Sequence, residues 1–261
     1  MAHILYDDFV LANKVEDFLS TNVDLMNYAT ADYSLTEEAG MKKVINTYTA
    51  TGNVQDLTMG EGNTEKVEVA FTPHEYVVKC TQGVLPYYDE EEMKDPMVVE
   101  VGLSKLTAQM VNDLTTKIIA ELGKGTKTHT MTSWAFENFA DAIAEYPYES
   151  EDGLFLLINP QDKAAIRKAL KDDLKYVEDF SRTGYIGHIC GVPVIVSKAV
   201  NKNEVYLATK EAVTVFIKKG TEIETDRDKD KRQNFIIARK YMVVALTDDT
   251  RVIRLVRPWL S

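Results

Sequence analysis

Residues 212–256 read AVTVFIKKGTEIETDRDKDKRQNFIIARKYMVVALTDDTRVIRLV, and this stretch decides the fold. Successive side chains of Phe235–Val244 fall on opposite faces of an extended chain, an alternation that is typical of a β-strand. Val213–Ile217 is predicted as a further strand, and Arg251–Arg257 returns after a predicted hairpin turn. The charged run Asp226–Arg232 is interpreted as a solvated turn, so the end of the chain is predicted to be all β.

Residues 126–225 mix helical and strand patterns and are interpreted as a separate α/β unit. Trp134–Ile143 has helical spacing, and Gly153–Ile158 is a short apolar run that predicts a buried strand. Asn159 is predicted to cap the next helix, because the proline after it suits the first helical position. That helix is predicted to continue to about Val177.

The clearest helix is predicted from about Pro96 to Leu122, followed by two glycines that end it. At about 1.5 Å per residue it spans close to 40 Å, enough to run along one whole edge of a subunit. The acidic segment Tyr87–Glu92 before it is interpreted as a solvated helix start. Its apolar positions step by three or four: Leu103, Leu106, Met110, Leu114, Ile118 and Leu122.

Residues 41–71 predict a two-stranded β-ribbon with a glycine-rich tip at 52–63. Val44, Asn46 and Tyr48 are predicted to share one face, and polar side chains are expected on both faces. Because an isolated two-stranded ribbon is marginal in water, another surface must cover it. Two interpretations stay open: the ribbon packs on its own chain within a larger sheet, or it lies on a neighbouring subunit.

Residues 9–28 begin with a short amphipathic stretch, in which Leu11, Val15, Phe18 and Leu19 fall at helical spacing. The helical period is lost after these residues. A short amphipathic helix is therefore predicted near the start of the chain.

Composition bounds the function. The chain has 261 residues, 45 % of them apolar, and a formal net charge of −11. A chain this acidic has no general attraction to phosphate backbones or anionic lipid, which argues against an electrostatic nucleic-acid binder. Its apolar runs are too short to predict a membrane span. The two cysteines, Cys80 and Cys190, are far apart and fit a reducing compartment better than a disulfide or zinc site.

The sequence predicts no catalytic residue, no cofactor-binding residue and no metal ligand. Residues 123–126, GKGT, lack the leading glycine of a phosphate loop and follow a helix where such a loop follows a strand. The acidic run 226–230 is interleaved with basic residues and lacks the glycine and glutamate of a calcium loop. The histidines are scattered and unpaired in sequence: His3, His74, His129 and His188.

The order of the parts is similar to that of the major capsid proteins of tailed bacteriophages, whose HK-ninety-seven-like fold is shared with herpesvirus capsids and encapsulin compartments. GYIGHICGVPVIVSKAV (184–200) resembles a glycine-punctuated hairpin of the family's A-domain. Residues 212–256 resemble its closing passage, in which a charged loop precedes a long strand that carries an arginine. The resemblance implies an α+β fold with an N-arm, a β-ribbon E-loop, a P-domain with a long spine helix, and an α/β A-domain.

Boundaries follow from the same resemblance. It implies an N-arm at 1–30, an E-loop at 31–72, a P-domain at 73–125 and 226–261 with its spine helix at about 96–123, and an A-domain at 126–225. The E-loop would lie across the adjacent subunit, which would explain how the ribbon is covered.

The function implied by the resemblance is structural rather than enzymatic. Copies would assemble as pentamers and hexamers into an icosahedral shell that encloses double-stranded DNA without sequence-specific binding. The implied partners are other copies, a portal and decoration proteins. Because the arm is reached about ten residues after Met1, a separate scaffolding protein, or none, is expected. The expected location is the virion, after assembly in the host cytoplasm, with no cofactor and no membrane.

Subunits that each carry −11 need local charge pairing, so assembly is predicted to depend on salt and on divalent cations. Some relatives cross-link through an E-loop lysine, but no cross-link is predicted for this chain. The candidate subunit-contact residues are Lys42, Lys43, Tyr48, Lys66, Glu68, Arg227, Arg239 and Arg251.

Two alternatives remain. An encapsulin-type nanocompartment has the same fold and would need a cargo-docking surface formed by the N-terminal helix. A soluble α/β enzyme with an inserted domain would need a nucleophile, metal or phosphate motif, and the sequence provides none that meets the spacing rules.

Overall fold

The computed structural model describes residues 24–37, 39–60, 62–95, 97–148, 152–170 and 187–257. The predicted N-terminal amphipathic helix and Pro96 lie outside these residues. The α-helices of the described chain are α1 (Asp89–Lys94), α2 (Met97–Leu122), α3 (Phe136–Ala144) and α4 (Pro160–Ala169). The strands are β1 (Thr30–Asp32), β2 (Lys42–Thr51), β3 (Glu68–Val77), β4 (Lys79–Tyr88), β5 (Thr128–Thr130), β6 (Leu154–Ile158), β7 (His188–Ile189), β8 (Val192–Val196), β9 (Glu204–Thr209), β10 (Val213–Asp228), β11 (Gln233–Leu246) and β12 (Val252–Val256).

The first layer is a four-stranded sheet in the order β1-β10-β11-β4, with α2 packed against it. Burial along β11 alternates residue by residue, as the sequence pattern predicts, because one face meets α2 and the other is more open. The prediction of a long helix is confirmed from Met97 to Leu122, and its apolar stripe is buried in the shared core. Leu106, Leu114 and Ile118 are all at most 6 % exposed.

Two glycines set the close approach of α2 to β4. An added Cβ at Gly102 would lie 2.7 Å from both Cδ atoms of Leu85 on β4. A Cβ at Gly83 of β4 would in turn overlap Cδ1 of Leu106 on α2. The helix therefore rests on the strand at two reciprocal contacts, each of a leucine against a glycine.

The second layer is a six-stranded sheet in the order β5-β12-β9-β6-β8-β7, with a second core that includes α3 and α4. Every residue of β6 is buried, which confirms the predicted internal strand. Asn159 caps α4 as predicted, since its side chain accepts a hydrogen bond from the backbone N–H of Gln161 at 2.9 Å. The helix ends at Ala169, and the predicted continuation to 177 falls on residues 171–186, outside the described ones.

The sheets do not follow the boundaries expected from the resemblance. β10 is one strand from Val213 to Asp228, so the expected boundary at 225/226 lies inside it. β12 pairs with β9 and β5 in the six-stranded sheet, although the resemblance assigns residues 226–261 to the P-domain. The prediction that the strand ends at Ile217 is wrong, because register shifts between Ile217 and Glu222 bend the strand without ending it. The predicted charged turn accordingly begins only after Asp228.

The predicted ribbon is confirmed as the antiparallel pair β2 and β3, with Lys42 opposite Val77 and Thr51 opposite Glu68. Its return strand is longer than predicted and continues through Pro73 to Val77. A proline is tolerated there because a two-stranded ribbon leaves one edge of each strand unpaired. Only Val78, whose N–H donates to the carbonyl of Met41 at 2.8 Å, separates β3 from β4.

The base of the ribbon is anchored in a third, small core. Ile45 and Tyr76 pack against a buried cluster that includes Leu35, Val78 and Phe216. Beyond this base, the described side chains of β3 from Glu68 to Glu75 are all exposed. The structure thus ties the ribbon to the body at one end and leaves most of its length uncovered by its own chain.

Candidate subunit interface

The register of the ribbon gathers many of its exposed apolar side chains on one face, which also carries Lys42, Asn46 and Glu75. Tyr48 lies opposite Phe71, and Val44 shares their face, because alternate residues of a strand point the same way. These side chains are 68 %, 63 % and 57 % exposed, respectively. The apolar face of the ribbon is defined as Val44, Tyr48, Val69, Phe71, Pro73 and Val77.

Polar side chains line the other face and satisfy one another. The hydroxyl of Thr47 donates to the carbonyl of Thr72 at 3.3 Å and lies 3.2 Å from Nε2 of His74. Polar side chains lie on both faces, as expected, since Lys42, Asn46 and Glu75 share the face of Tyr48. Pairing nevertheless brings Val44, Tyr48, Val69 and Phe71 to the same side, which concentrates these apolar residues on one surface.

Tyr48 and Phe71 form the centre of the apolar face. Their ring centroids are 6.4 Å apart and the rings are tilted by 49°. This separation is within the range of interacting aromatic pairs, so the two rings contact each other. Aromatic residues are enriched where proteins bind proteins.

The tip of the ribbon, residues 52–67, carries more exposed apolar surface. Val54 and Met59 are almost fully exposed, and Leu57 is about half exposed. Gly52 begins the tip at a φ of +125°, a conformation that disfavours any side chain. The side-chain oxygen of Gln55 accepts hydrogen bonds from the N–H and hydroxyl of Thr64, at 3.1 and 3.0 Å, and links the two arms of the tip.

Five of the eight candidate contact residues lie on or beside the ribbon. Tyr48 is on the apolar face, and Lys66 and Glu68 are exposed where the tip meets β3. Lys42 forms an ion pair with Glu75 on the facing strand.

Lys43 reaches back to the body. Its Nζ donates to the hydroxyl of Ser34 at 3.3 Å and lies 5.5 Å from the centre of the Phe216 ring. This lysine therefore helps to fix the base of the ribbon.

The three candidate arginines lie on the body and pair with carboxylates of their own chain. Arg227 contacts Asp89 at 2.6 Å, and Arg239 contacts Glu224 at 2.8 Å. Arg251 lies directly before β12, a strand of the six-stranded sheet. The structure therefore does not gather the eight residues into one site.

Arg251 has the densest set of contacts among them. It pairs with Glu211 at 2.7 Å and with Asp248 at 3.0 Å, and its guanidinium lies 4.4 Å from the centre of the Tyr148 ring. Burial raises the pKa of Asp248, but hydrogen bonds from Thr250 and Arg251 outweigh it, and the net pKa is lowered. The contacts of Arg251 with Glu211, Asp248 and Tyr148 are all within one chain, and they stabilise this part of the fold.

Sequence reasoning missed the apolar residues of the return strand and of the tip. The alternation of Val67, Val69 and Phe71 was visible, but only the pairing register shows that Val69 and Phe71 join Val44 and Tyr48. If the pairing shifts by two residues, the apolar side chains of β3 stay on the same face of the ribbon, whereas a shift of one residue moves them to the other face. The sequence alone does not provide this register.

Within the described ranges no three or more His, Cys, Asp or Glu side chains are grouped so as to hold a metal ion. Residues 123–126 form the turn that ends α2, where Gly123 approaches the hydroxyl of Tyr206. No helix in the described part of the chain is both long enough and apolar enough to span a membrane.

Comparison with known proteins gives no match by sequence and strong matches by structure. No protein-family model matches the chain, and no curated protein matches it significantly. The capsid of a native GTA particle superposes with a TM-score of 0.76 at 10 % identity, covering 99 % of this chain and 93 % of that one. A structure from Mycobacterium phage Che8 gives 0.69 at 15 % identity, covering 90 % and 91 %.

A virus-like particle from Pyrococcus furiosus also matches, with a TM-score of 0.64 at 15 % identity, covering 94 % of this chain and 97 % of that one. These matches extend over nearly the whole of each chain. At such low identity they establish the fold. The chain has the HK-ninety-seven-like capsid fold, as the order of its parts predicts.

Proposed function

We propose that this chain is a structural capsid protein whose copies assemble into a closed icosahedral shell. The observation that carries the proposal is the exposed apolar face of the ribbon, on a fold shared with capsids. Soluble monomers rarely leave so many adjacent apolar side chains in water, and such a patch marks a protein interface. The occupant is a neighbouring copy of the same chain.

The exposed rings contribute enough to hold neighbours together. Tyr48 and Phe71 leave about two-thirds of their surfaces exposed, which is roughly 100–160 Å² for each ring. At about 25 cal/mol per Å², covering one ring contributes about 2.5–4 kcal/mol before the costs of association. Each subunit of a closed shell makes the same contact, so closure multiplies a moderate interface.

The finer proposals concern the particle. The shell is that of a tailed phage, built from pentamers and hexamers, and it encloses double-stranded DNA without reading its sequence. A net charge of −11 supports this, since an acidic wall does not retain DNA by general attraction. The proposed partners are a portal, decoration proteins and a separate scaffolding protein, with assembly in the host cytoplasm and residence in the virion.

The subdomain division is proposed in the family's terms. The ribbon and its tip are the E-loop, α2 is the spine helix, and the four-stranded sheet beneath α2 is the P-domain. The six-stranded sheet with α3 and α4 is the A-domain. Sheet membership supports assigning residues 213–225 to the P-domain and β12 to the A-domain.

A second candidate is an encapsulin-type nanocompartment, favoured by the likeness to a virus-like particle from Pyrococcus furiosus. Particles of both kinds share a shell fold and differ in what they enclose. Analysis of the contents of purified particles separates them, because a phage head holds DNA and a nanocompartment holds a cargo protein.

The decisive experiment is size-exclusion chromatography with electron microscopy of the purified protein. A shell protein elutes as capsomers or particles, whereas a soluble enzyme elutes as a small oligomer. A matched pair of variants then tests the interface: Phe71→Lys on the apolar face and Thr72→Lys on the polar face, one residue apart with the same added charge.

We expect Phe71→Lys to lose particles and Thr72→Lys to retain them, while both keep the circular dichroism spectrum of the parent. The loss of about 3 kcal/mol at each ribbon corresponds to roughly a hundredfold weaker contact. Equal assembly of the two variants would show that the apolar face is not the interface. A well-behaved parent monomer at high concentration would refute the shell itself.

A further inference from the structure

One pair of facing residues connects the base of the ribbon to the body at two points. Lys43 on β2 lies directly opposite Tyr76 on β3, and facing residues of paired strands project to the same side. This side is opposite the apolar face, because Lys43 and Val44 are neighbours in one strand. Both Lys43 and Tyr76 are partly buried, whereas Val44 is exposed. The ribbon therefore meets the body with the side opposite its apolar face.

The first point is a lysine of the ribbon on an aromatic ring of the body. Nζ of Lys43 lies 5.5 Å from the centre of the Phe216 ring on β10, within the range of a cation–π interaction. The same Nζ donates a hydrogen bond to the hydroxyl of Ser34 at 3.3 Å, which holds the ammonium group beside the ring. Phe216 is 5 % exposed and belongs to the small core under the ribbon, so the packing around it fixes its ring.

The second point reverses these roles, with an aromatic ring of the ribbon and a lysine of the body. Nζ of Lys124, in the turn that ends α2, lies 5.8 Å from the centre of the Tyr76 ring. Glu121, in the last turn of α2, forms an ion pair with Lys124 at 2.6 Å. Burial, followed by the charge of Glu121, raises the pKa of the Tyr76 phenol, and the charge of Lys124 acts against them. The phenol therefore faces both charges.

The carboxylate of Glu121 keeps Lys124 at the ring. Its Oε2 is buried and has no hydrogen-bond partner among the described residues. The Glu121 side chain is 13 % exposed, against 58 % for Lys124. Because a carboxylate with so little access to water needs a nearby cation, it holds the ammonium group in place. Lys124 is thus positioned from α2, and its contact with Tyr76 ties the ribbon to the helix.

The ribbon leaves the body at one narrow point. Val78 is the single residue between β3 and β4, and its N–H donates to the carbonyl of Met41 at the start of β2. Gly40, beside Met41, has a φ of +107°, and no atom lies within 4 Å of the place a Cβ would take. Two strands that are joined to a body at such a point can tilt about it. The two lysine–ring contacts lie on the ribbon side of this point, where they oppose the tilt.

We propose that Lys43 and Tyr76 of the ribbon, with Phe216 and Lys124 of the body, form a two-point clamp that holds the ribbon at one angle with its apolar face turned outward. A cation on an aromatic ring shifts an equilibrium by about two- to fivefold at a partly exposed site, so two such contacts shift it by roughly 5- to 30-fold. This makes one orientation of the ribbon dominant and still allows its release. The proposal concerns a single chain and does not depend on shell formation.

Distances between two spin labels measure the angle of the ribbon. One label is attached to Glu68→Cys, near the outer end of the ribbon, and the other to Ser104→Cys on the exposed side of α2. Cys80→Ser and Cys190→Ser remove the native thiols. All chains carry Phe71→Lys, so that no other copy holds the apolar face. Labelled chains are mixed with an excess of unlabelled chains, so that the measured distances arise within one chain.

Lys43→Met and Lys124→Met each remove one cation and keep an unbranched side chain. We expect each change to raise the ratio of displaced to clamped distances by about two- to fivefold, and the double variant to raise it by roughly 5- to 30-fold. Lys124→Arg keeps a cation at the ring and should give the distances of the parent. Lys105→Met, at an exposed lysine of α2 outside the clamp, is the control and should also match the parent.

An unchanged distance distribution in the double variant, with the circular dichroism spectrum of the parent, would overturn the proposal. Equal broadening in Lys105→Met would also overturn it, since the effect would then follow from the loss of any positive charge. The result is independent of the proposed function, because the distances are measured within single chains. Failure of the parent to form particles would refute the shell and leave the clamp in place.

Discussion

Replacing Gly102 by alanine has two opposing effects on stability: a gain in helix propensity and a steric overlap with Leu85. Gly102 lies inside α2, where alanine is favoured over glycine by about 0.5–1 kcal/mol. The new Cβ, however, would stand 2.7 Å from Cδ1 and Cδ2 of Leu85, about 1 Å closer than carbon atoms pack. Overpacking of this kind typically costs about 1–3 kcal/mol, so the net effect is a loss of up to about 2.5 kcal/mol.

The effect of Gly102→Ala on the free energy of unfolding should change from a loss to a gain when the side chain at position 85 is shortened. Leu85→Val removes both Cδ atoms, so the Cβ added at position 102 no longer meets the two atoms that it would overlap in the parent. In this background Gly102→Ala should raise the unfolding free energy by about 0.5–1 kcal/mol, which is the helix propensity alone. The coupling between the two positions is therefore predicted to be about 1–3 kcal/mol.

Urea unfolding of the four proteins at one concentration, with the same assembly state verified for each, measures this coupling. Ser104→Ala is the control, since it is an exposed position on the same helix and should give a small gain in both backgrounds. If Gly102→Ala stabilises the parent, or destabilises both backgrounds equally, the close contact between α2 and β4 is not what sets the energy.

Three further predictions follow from charge. Burial raises the pKa of the Asp162 carboxyl, although the backbone N–H of Asn203 donates a hydrogen bond to it, which acts in the opposite direction. The contribution of this carboxyl to folding stability is therefore fully present below its unfolded-state pKa and is lost as the pH rises through its higher folded-state pKa. Asp162→Asn should therefore be more stable than the parent at pH 7 and equal to it near pH 3 in urea titrations, whereas Asp162→Ala should lose about 1–3 kcal/mol by leaving the Asn203 N–H unpaired. The net pKa of Asp248 is lowered, so its contribution to folding stability is present above its unfolded-state pKa and disappears as the pH falls through its folded-state pKa. Asp248→Ala should lower the free energy of unfolding by about 1–2 kcal/mol at pH 7, and by less in acid. Assembly followed by light scattering should increase as the salt concentration is raised from about 0.01 to 0.15 M, or when divalent cations are added, because the charge of −11 on each copy is screened; an unchanged yield would contradict this.

Signals that are local in sequence were sufficient to predict the elements that depend on them. The stripe of α2 steps by three or four, and a helix buries such a stripe wherever the chain later places it. Asn159 and the proline after it define a helix start through their own hydrogen-bonding and torsional preferences. The fold followed from the order of these parts and from their resemblance to one family.

Features that depend on partners distant in sequence could not be predicted in this way. The continuity of β10 through Gly220 depends on its pairing with β11, which tolerates bulges that interrupt the local pattern. The apolar face of the ribbon depends on the register that sets Tyr48 opposite Phe71. The buried Nε of Arg254 lacks an acceptor because of how β9, β12 and α2 meet at one place, and arginines look alike in sequence whether paired or not.

The distribution of apolar surface supports the proposal that this chain acts as a component of an assembly. Each of the two layers has a buried apolar core of its own, and every residue of β6 is buried. Among the described residues, the ribbon packs on the body at its base, around Val78 and Phe216, and its outer length consists of two paired strands. Because the apolar surface of the ribbon is exposed, the free energy of burying it is still available when another molecule binds there. Identical copies that each provide such a ribbon and a body to receive it can all satisfy it only in an arrangement that closes on itself.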